Sequence, residues 1–550
     1  MQGEINMNPA GLLYPDDPSI KKLHEKLTKA AQDFNAPDYH LQKLLSRPGR
    51  FSDFSLGIDG FFMDFSRQRL DQNALSLLRE SQRLSNALKK FSQMTQGEIV
   101  NPTENRAALH TAARGTGPSP LLYKEMDVKA QMQQVNEKIE QFCASVHEGK
   151  ICSACGKPFT QAVVIGIGGS YLGCEFVYQA LAGADRKLDL FFLPNVDIDN
   201  FARVIESIDK ETTLWIVISK SYTTTETMAN LNQVSTWLNT MGIAPKDHMV
   251  TITAKGSPGD DPDTPVLASF YMFDFIGGRY SVSSAVGGLP LSLALGYDVF
   301  KRFLNGCSIM DTHVLESPEE KNIPLTAALI SIWNILYMGY PAQAIIPYAS
   351  RLARLSPHVQ QLYMESLGKS VSATGQPLTQ PAGTIIFGEP GTNAQHSFFQ
   401  LAHQGKAFPI DFIGVKMPGY TGLQAMSKGV TNHQELWANL LAQAGALALG
   451  RSSDDPARNF DGNRPSTIIT IDNLEPESVG MLLSFYEART VLEGFILGVN
   501  PFDQFGVELG KVMAGDIRKE MAARNQDPSY TFACASQTDN FYLDLLFNKR

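Results

Sequence analysis

Apolar and polar positions follow two different periods along this chain. Over about the first hundred residues, apolar side chains recur at helical spacing with polar residues between them, as at Ala74, Leu77, Leu78, Leu84, Leu88 and Phe91. This spacing predicts a helical N-terminal segment. From Gln161 onward, short continuous apolar runs alternate with helical stretches. Continuous apolar strands separated by helices predict parallel sheets that are covered on both faces.

The apolar runs fall into two series. The first contains QAVVIGIG, LDLFFLP, TLWIVIS and MVTITA, and the second contains QAIIPYA, GTIIFG, FPIDFIGV and STIITID. Between them lies the turn-rich stretch SPGDDPDTP, residues 257–265. Another helix is predicted to begin near Pro476, and the stretch from Lys511 has helix-like composition. We therefore predict an α/β fold with two doubly wound parallel-sheet domains and with helical N-terminal and C-terminal extensions.

These patterns suggest four segments. Residues 1–115 form a helical segment that packs on the larger domain, residues 116–295 a first, small α/β domain, residues 296–510 a second, large one, and residues 511–550 a helical tail.

The composition of the chain argues against several classes of protein. The 550 residues are 43% hydrophobic and 19% charged, and 47 Lys and Arg against 56 Asp and Glu leave a formal net charge of −9. No basic block is present, which argues against nucleic acid as a partner. The apolar runs are too short for a membrane helix, and the first residues lack the pattern of a signal peptide, so we expect a soluble, cytoplasmic protein. Six cysteines suggest reduced thiols rather than a disulfide framework.

A glycine-rich turn follows the first predicted strand. In open α/β sheets ligands bind at the carboxyl ends of strands, and GIGGSYLG, residues 166–173, lies at such an end. Its glycines let the backbone approach an anion while Ser170 offers a hydroxyl, so phosphate is the expected ligand. A nicotinamide dinucleotide is disfavoured because Tyr171 occupies the position of the third fingerprint glycine. A tight turn without a ligand is the alternative.

A cluster of hydroxyl groups follows the third strand, in SKSYTTTET, residues 219–227. Ser and Thr commonly cap helices, so ordinary N-capping is one interpretation. One cap needs only one hydroxyl, however, and several short donors at a helix N-terminus suit the oxygens of a phosphate dianion. The two loops together therefore favour a monophosphate pocket.

A helix is predicted to start at Ser356-Pro357, with Ser356 as its cap, and to end at Gly368. Gln361 and Glu365 are four residues apart and share a face of it. A Glu near the C-terminal end of a helix is disfavoured by the helix dipole, which points to a role other than stability. Without other information, a solvated surface Glu is the favoured interpretation.

Two further segments carry candidate proton donors. In GTNAQHSFFQLAHQG we expect Asn393 to cap a helix whose first turn holds His396, the ligand-facing candidate, and we interpret His403 as a packing residue. In FDQFGVELGK, helical spacing puts Gln504 and Lys511 on one face.

Six blocks occur in one order: GIGGSYLG, SKSYTTTET, FIGGRYSVSSAVG, QLYMESLGK, GTNAQHSFFQLAHQG and FDQFGVELGK. This order resembles that of the glucose-6-phosphate isomerase (phosphoglucose isomerase) family, from about Glu104 through Lys511. The resemblance implies two sugar-isomerase (SIS-type) domains. It also implies reversible interconversion of glucose 6-phosphate and fructose 6-phosphate, without a cofactor, through acid/base ring opening and a cis-enediol.

The resemblance assigns a role to each matching position. Glu365 is the base that moves the proton, Arg279 the cation that stabilises the enediol, and His396 and Lys511 the groups that open the ring. We expect Glu365 to be buried or to lie against an apolar wall, because an exposed carboxylate is a weak base. The remaining positions bind substrate: Gly169, Ser170, Ser219, Lys220, Ser221, Thr224, Glu226, Gln361 and Gln504.

The family also implies a homodimer with shared active sites, since its histidine comes from the neighbouring subunit. One departure is Leu367, where the family usually has Asn, and this could change how firmly Glu365 is held. Two alternatives remain: a noncatalytic sugar-phosphate sensor, which would need the phosphate loops but not the three acid/base residues, and an isomerase that also accepts mannose 6-phosphate.

One feature is independent of the resemblance. Cys143, His147, Cys152 and Cys155 have the residue types of a tetrahedral zinc site, but only one C-x2-C pair is present. We favour free thiols in a surface turn and expect no metal.

Overall fold

The computed structural model describes residues 11–14, 17–420, 422–423 and 425–547. It contains two compact units, Met1–Pro501 and Phe502–Arg550. The helices, in chain order, are α1 Pro18–Asp33, α2 Leu41–Leu45, α3 Arg50–Asp53, α4 Gln72–Ser85, α5 Ala87–Thr95, α6 Val128–His147, α7 Leu172–Leu181, α8 Ile198–Ser207, α9 Thr225–Thr240, α10 Ala285–Leu295, α11 Tyr297–Glu316, α12 Ile323–Ile332, α13 Leu355–Leu367, α14 Phe399–Gln404, α15 Asn432–Leu449, α16 Pro476–Leu497, α17 Glu508–Gln526 and α18 Gln537–Phe547. Within the described ranges, no helix has both the length and the apolarity that a membrane span requires.

The strands lie in the first unit. In chain order they are β1 Ser55–Ile58, β2 Phe61–Asp64, β3 Ile99–Asn101, β4 Arg106–Ala107, β5 Leu122–Tyr123, β6 Met126–Asp127, β7 Gln161–Ile165, β8 Asp189–Leu193, β9 Thr213–Ile218, β10 Met249–Thr253, β11 Ala268–Tyr271, β12 Ala342–Tyr348, β13 Ile385–Phe387, β14 Ile410–Val415, β15 Met426–Ser427, β16 Val430–Thr431 and β17 Ser466–Ile471. They form one five-stranded sheet, one six-stranded sheet and three two-stranded ribbons.

The five-stranded sheet has the order β11-β10-β9-β7-β8 and is parallel throughout. Its central strand β9 is buried along its whole length, as the run TLWIVI predicts. Apolar side chains from α8 and α9, among them Phe201 and Val234, cover one face around Trp215. The stretch 257–265 follows the last run of the first series, as predicted, but the sheet continues beyond it with one further strand, β11.

The six-stranded sheet has the order β1-β2-β17-β14-β12-β13. The four strands of the second apolar series run parallel, whereas β2 pairs antiparallel with β17 and β1 antiparallel with β2. The N-terminal segment is therefore not purely helical, because it adds a hairpin to this sheet. Asp59-Gly60, with Gly60 at φ 76°, forms the two-residue turn, and this dipeptide was the sequence signal for a hairpin.

Helix α16 is the most deeply buried long helix of the described structure. Twenty-one of its residues are buried, and it packs against α11, α12 and α13. Its buried charges are paired: Arg489 binds Asp411 at 2.8 Å, and Glu487 binds Arg114, which also pairs with Asp311.

The predicted α/β class with parallel sheets is confirmed, and the predicted helix at Pro476 is present. The predicted domain boundaries stay a prediction.

Candidate functional site

The glycine-rich loop packs closely against the turn that carries Arg279. After β7 the chain forms a 3-10 turn, Gly168–Ser170, and α7 begins two residues later. A Cβ on Gly169 would lie only 2.2 Å from the carbonyl carbon of Gly278. Only glycine permits this contact, so the loop backbone lies directly against the turn that carries Arg279.

The hydroxyl-rich loop meets the glycine loop at the same edge of the sheet. Strands β7 and β9 are parallel neighbours, with Ile165 opposite Val217, so their carboxyl ends coincide. A Cβ on Gly166 would lie 3.4 Å from both Cβ and the carbonyl oxygen of Ile218, the last residue of β9. The two predicted phosphate loops are therefore adjacent.

The hydroxyls of the second loop are not used for capping. Thr224 precedes α9 but makes no side-chain cap bond. Its Oγ1 instead accepts a 3.3 Å bond from Ser219 Oγ, and the Oγ atoms of Ser221 and Thr223 lie 2.6 Å apart. This arrangement disfavours the capping interpretation and leaves a group of short hydroxyl donors at the start of a helix.

The two charged residues of this loop have different surroundings. Lys220 Nζ lies 3.2 Å from Asp274 Oδ1 and donates to the Asp274 carbonyl at 3.2 Å, and burial lowers the pKa of Lys220. Its side chain is thus turned towards Asp274, consistent with the expectation that Lys220 acts through its backbone. Glu226 is half-buried in the first turn of α9.

Arg279 is a buried cation directed at α13. It lies in the 3-10 turn Gly278–Tyr280 with its side chain 1% exposed. Its Nε donates to Ser366 Oγ at 2.7 Å and its Nη2 to the Pro501 carbonyl at 2.7 Å, while Nη1 lies 3.5 Å from Glu365 Oε2. The guanidinium is therefore held in place by two hydrogen bonds while it faces the predicted base.

Glu365 and Gln361 lie one turn apart on α13, as predicted. Gln361 Nε2 donates to Glu365 Oε2 at 3.0 Å, and a Cβ on Gly168 would lie 3.1 Å from the same nitrogen. One amide thus connects the glycine loop to the carboxylate. Gln361 Oε1 is buried without a hydrogen-bond partner in the described residues, so it is available to an incoming donor.

The expected surroundings of Glu365 need correction. Its side chain is 22% exposed rather than fully buried, and its polar contacts are a cation and an amide. The helix also begins two residues early: α13 starts at Leu355, and Ser356 does not cap it but donates to the Ile345 carbonyl at 2.8 Å. Gly368 follows the helix as predicted.

Leu367 occupies the position where Asn was expected from the resemblance. Its side chain is fully buried, and a Cβ on Gly494 of α16 would lie 3.2 Å from Leu367 Cδ2. The C-terminal end of α13 is therefore anchored at this residue by apolar packing.

Sequence reasoning missed three groups around Arg279. The Tyr280 hydroxyl lies 2.9 Å from Ser366 Oγ and donates to the Pro501 carbonyl at 3.2 Å, so Tyr280, Ser366 and Pro501 form one buried network with the guanidinium. Tyr280 and Ser366 directly follow the predicted site residues Arg279 and Glu365, and this adjacency was the available signal.

His396 lies apart from this group. Its segment is a 3-10 turn, Asn393–His396, without a side-chain cap, and α14 begins only at Phe399, so the predicted capped helix is wrong. The imidazole of His396 is exposed, and no hydrogen bond or ion pair joins it to Glu365 in the described part of the chain. His403 contacts Phe399 and binds Gln443 Oε1 at 2.9 Å, in agreement with a packing role.

Gln504 and Lys511 belong to the second compact unit. Gln504 precedes a 3-10 turn, Phe505–Val507, and α17 begins at Glu508 with Lys511 exposed in its first turn. The expectation that both lie on one helical face is therefore wrong, because the helix starts after Gln504.

The four residues of the zinc alternative are not grouped as metal ligands in the described part of the chain. Cys143 is buried inside α6, and the ring nitrogen Nε2 of His147 lies 2.8 Å from the Leu293 carbonyl. Among the residues that the structure describes, no three His, Cys, Asp or Glu side chains are grouped as metal ligands. The zinc hypothesis is thus not supported.

Comparisons with known proteins agree with one another. Residues 64–537 match the family model described as phosphoglucose isomerase. A glucose-6-phosphate isomerase of Desulfosudis oleivorans is 56% identical over 96% of this chain and 97% of its own length, and a cytosolic one of Arabidopsis thaliana is 41% identical over 88% and 89%. The crystal structure of a glucose-6-phosphate isomerase of Chlamydia trachomatis covers 98% of this chain and 99% of its own, with 34% identity and a TM-score of 0.86.

Proposed function

Because the chain belongs to the phosphoglucose isomerase family, we propose that Glu365 moves the proton in a reversible interconversion of glucose 6-phosphate and fructose 6-phosphate. The chain is an isomerase. One carboxylate on one face of the open-chain sugar removes the proton from C2 of the aldose and returns it to C1, and the reverse reaction uses the same group. The observation that carries the proposal is the 3.5 Å separation of Glu365 Oε2 and Arg279 Nη1 beside the glycine loop.

Arg279 supplies the charge that this step needs. Removal of the proton gives an enediol whose oxygens gain negative charge, and a cation already fixed by Ser366 and the Pro501 carbonyl stabilises that charge without reorganising. Since the guanidinium is buried, its field is weakly screened. Its contribution should therefore be larger in the transition state than in the bound substrate.

The phosphate binds where the two loops meet. Ser170, Ser219, Ser221 and Thr224 offer hydroxyls, and Gly169 and Lys220 offer backbone, at the edge shared by β7 and β9. A dianion at this position places the sugar chain over α13. There Gln361 reaches a sugar hydroxyl, and we assign the same role to Gln504 and Glu226.

Ring opening requires a second acid/base group. We assign it to His396 and Lys511, with His396 coming from a second copy of the chain, because among the described residues no hydrogen bond or ion pair joins its exposed imidazole to Glu365 within one chain. The apolar surface of the second unit supports a homodimer, since Leu509 is 70%, Val512 65% and Phe541 63% exposed. A cytoplasmic location is proposed by similarity to the cytosolic plant relative.

The central test compares wild type with Glu365→Gln. Wild type should convert fructose 6-phosphate in a dehydrogenase-coupled assay and should incorporate solvent deuterium at the carbon that exchanges its proton. The Gln variant keeps the shape of the site and should lose about 10²–10⁴-fold in kcat while still binding fructose 6-phosphate by calorimetry. Glu206→Gln, at an exposed position on α8, is the matched control and should behave as wild type.

Two outcomes would reject this function. Binding without turnover by the wild type would indicate a sugar-phosphate sensor. Turnover by the Gln variant at the wild-type rate would show that another residue moves the proton.

A further inference from the structure

The connection between α6 and β7 carries a pair of cysteines that the isomerase site does not use. Cys152 and Cys155 lie in the segment CSACGK, at the amino end of β7 and thus at the end opposite the glycine loop. All six cysteines are free, and Cys143, Cys174 and Cys307 are buried. Solvent therefore reaches Cys152, Cys155 and Cys534, and the first two are only three residues apart.

The chain around this pair forms a closed turn. Gly156 N–H donates to the Ser153 carbonyl at 2.8 Å, and Ser153 N–H donates to the Lys157 carbonyl at 3.0 Å. Gly156 has φ 76°, a conformation that glycine adopts without strain. The turn spans Ser153–Gly156, so Cys155 lies within it and Cys152 directly before it, and both thiols are on the same short loop.

A buried histidine ties the turn to the sheet. Ala154 N–H donates to His248 Nε2 at 3.2 Å, so this nitrogen is the acceptor, and His248 Nδ1 lies 2.9 Å from the Thr213 carbonyl at the start of β9. An imidazole that accepts at Nε2 and donates at Nδ1 is neutral with one defined tautomer. The position of the turn is therefore fixed by the sheet.

The surroundings of Cys155 favour its thiolate. Ser153 Oγ lies 3.1 Å from Cys155 Sγ. Hydrogen bonds from the Ser153 hydroxyl and from the Lys157 backbone N–H lower the pKa of Cys155, and the Lys157 ammonium acts in the same direction. The carboxylate of Glu211 opposes this effect, but it is itself paired with Lys157 Nζ at 2.5 Å.

We propose that Cys155 and Cys152 form a redox-active dithiol that reacts with low-molecular-weight aliphatic disulfides, Cys155 being the attacking thiol and Cys152 the resolving one. An accessible thiolate with a second thiol three residues away is the arrangement that thiol–disulfide exchange requires.

The reaction consists of two exchanges. In the first, the Cys155 thiolate attacks one sulfur of the small disulfide, forms a mixed disulfide and releases one small thiolate. In the second, the Cys152 thiolate attacks Cys155 Sγ, forms the Cys152–Cys155 disulfide and releases the second small thiolate. The protein dithiol is oxidised by two electrons, the small disulfide is reduced to two thiols, and the two cysteine protons pass to solvent or to these thiolates.

The test exposes the full chain to glutathione disulfide and follows intact mass and disulfide-mapped peptides over time. Wild type should lose two hydrogens and show the cross-link within the peptide that holds residues 152 and 155. Cys152→Ser should instead stop with one glutathione on Cys155. Cys155→Ser should lose the fast phase, and Cys534→Ser, which removes the other accessible thiol, should react as wild type.

Two results would overturn the proposal. One is a wild-type chain that keeps glutathione on Cys155 without forming the internal disulfide, and the other is reaction of Cys534 as fast as that of Cys155. Isomerase activity measured on the same samples reports folding and is independent of the result, because the turn lies at the opposite end of β7 from the glycine loop.

The pH profile tests why Cys155 attacks first. Ser153→Ala and Lys157→Gln should each shift the midpoint of the rate of mixed-disulfide formation, measured in the Cys152→Ser background, to higher pH. The exposed Lys150→Gln is the matched control and should leave the midpoint unchanged. Unchanged midpoints in both test variants would remove the assigned roles of Ser153 and Lys157 and with them the choice of Cys155 as the attacking thiol.

Discussion

At the scale of single residues, the candidate site depends on how one guanidinium is held. Arg279 uses two of its donors for Ser366 and the Pro501 carbonyl, and a third nitrogen faces Glu365. Lysine carries the same charge on a single nitrogen and cannot reproduce this fork. The position of the charge, rather than its presence, is therefore what arginine contributes here.

Arg279→Lys tests this role. We expect kcat to fall about a hundredfold or more with a smaller change in KM, because the charge is needed mainly when the enediol forms. The matched control is Arg302→Lys, an exposed arginine of α11 that pairs with Glu475 and Glu477 and should leave kcat unchanged. An Arg279→Lys enzyme with wild-type kcat would refute the assigned role of the guanidinium.

Gly169 is the second decisive residue. In Gly169→Ala the new methyl would lie 2.2 Å from the Gly278 carbonyl carbon, so one of the two backbones must move. We expect a higher KM for both sugar phosphates and a loss of about 1–3 kcal/mol in the free energy of unfolding, measured by denaturant titration.

Gly445→Ala is the control for Gly169→Ala. This glycine lies within α15, and an added Cβ would meet nothing within 4 Å. The change should stabilise the chain by roughly 0.5–1 kcal/mol and leave KM unchanged. If Gly169→Ala behaved in the same way, the close approach of the two loops would not matter for binding.

At the scale of elements, α13 is the part that unites the site. Its outer face carries Gln361 and Glu365, Ser366 binds the Arg279 turn, and on its buried side the Tyr363 hydroxyl donates to Glu493 Oε1 of α16 at 2.6 Å. Ser331 of α12 donates to the same oxygen at 3.1 Å, while Glu493 Oε2 is buried without a hydrogen-bond partner in the described residues. The helix that carries Glu365 is thus held on its buried side by the hydrogen bond to Glu493 of α16.

The buried carboxyl of Glu493 should make stability depend on pH. Burial raises the pKa of Glu493 from its usual 4.5 to about 7. Between these values the unfolded chain releases a proton that the folded chain keeps, so this contribution to stability is fully present below about pH 4.5 and is lost as the pH rises to about 7.

Glu493→Gln, which cannot ionise, measures this contribution. The free energy of unfolding of wild type should fall relative to that of the variant by roughly 2 kcal/mol between about pH 5 and about pH 7. Burial also raises the pKa of Glu487 to about 7, but Glu487 is present in both proteins and cancels in the difference. Parallel pH profiles for the two proteins would show that Glu493 is already ionised in the folded chain.

Elements differ in how well the sequence predicts them. All eight apolar runs became strands, and the central ones, such as β9 and β14, are buried along their whole length, as continuous apolar runs predict, whereas the edge strands β8 and β13 are partly exposed. The hairpin β1-β2 and the strand β11 were missed, since short edge strands have partly exposed residues and weaker patterns. Helix starts were misplaced at α13, α14 and α17. At α13 the reason is a tertiary contact, because Ser356 donates to a neighbouring strand instead of capping the helix.

At the scale of the whole molecule, the proposed dimer predicts complementation between two inactive variants. Glu365→Gln and His396→Ala should each be inactive alone. In a mixed dimer one site combines both defects, while the other combines an intact Glu365 with an intact histidine from the other chain. Random mixing during co-expression should restore up to about a quarter of the wild-type activity.

The complementation has clear controls. Mixing Glu365→Gln with Glu365→Gln/His396→Ala should restore nothing, because neither chain supplies an intact base. When the protein is diluted, isomerase activity should disappear at the concentrations at which light scattering shows that the dimer dissociates. A fully active monomer, or an absence of rescue between two variants that form mixed dimers, would contradict a shared site.

Some properties of this chain follow from the sequence alone because they depend on local order. The alternation of apolar runs and helices determined the α/β class, and the glycines and hydroxyls stand in local motifs whose chemistry is readable without coordinates, whereas the role of Glu365 came from the family resemblance. The choice of phosphate as ligand needed only the residue types and their positions after strands.

Other properties were decided only by tertiary structure. Arg279 and Glu365 lie far apart in the sequence, and their encounter depends on the packing of a 3-10 turn, a glycine loop and α13 against one another. Tertiary contacts elsewhere also leave Thr224 without a cap bond, bury Cys143 and place His147 Nε2 at 2.8 Å from the Leu293 carbonyl. Local preferences are worth a fraction of a kcal/mol to about 1 kcal/mol per residue, whereas burying one large apolar side chain is worth about 1.5–3 kcal/mol and removing one partner of a buried charge pair costs about 3–5 kcal/mol, so where the two compete the packed core decides.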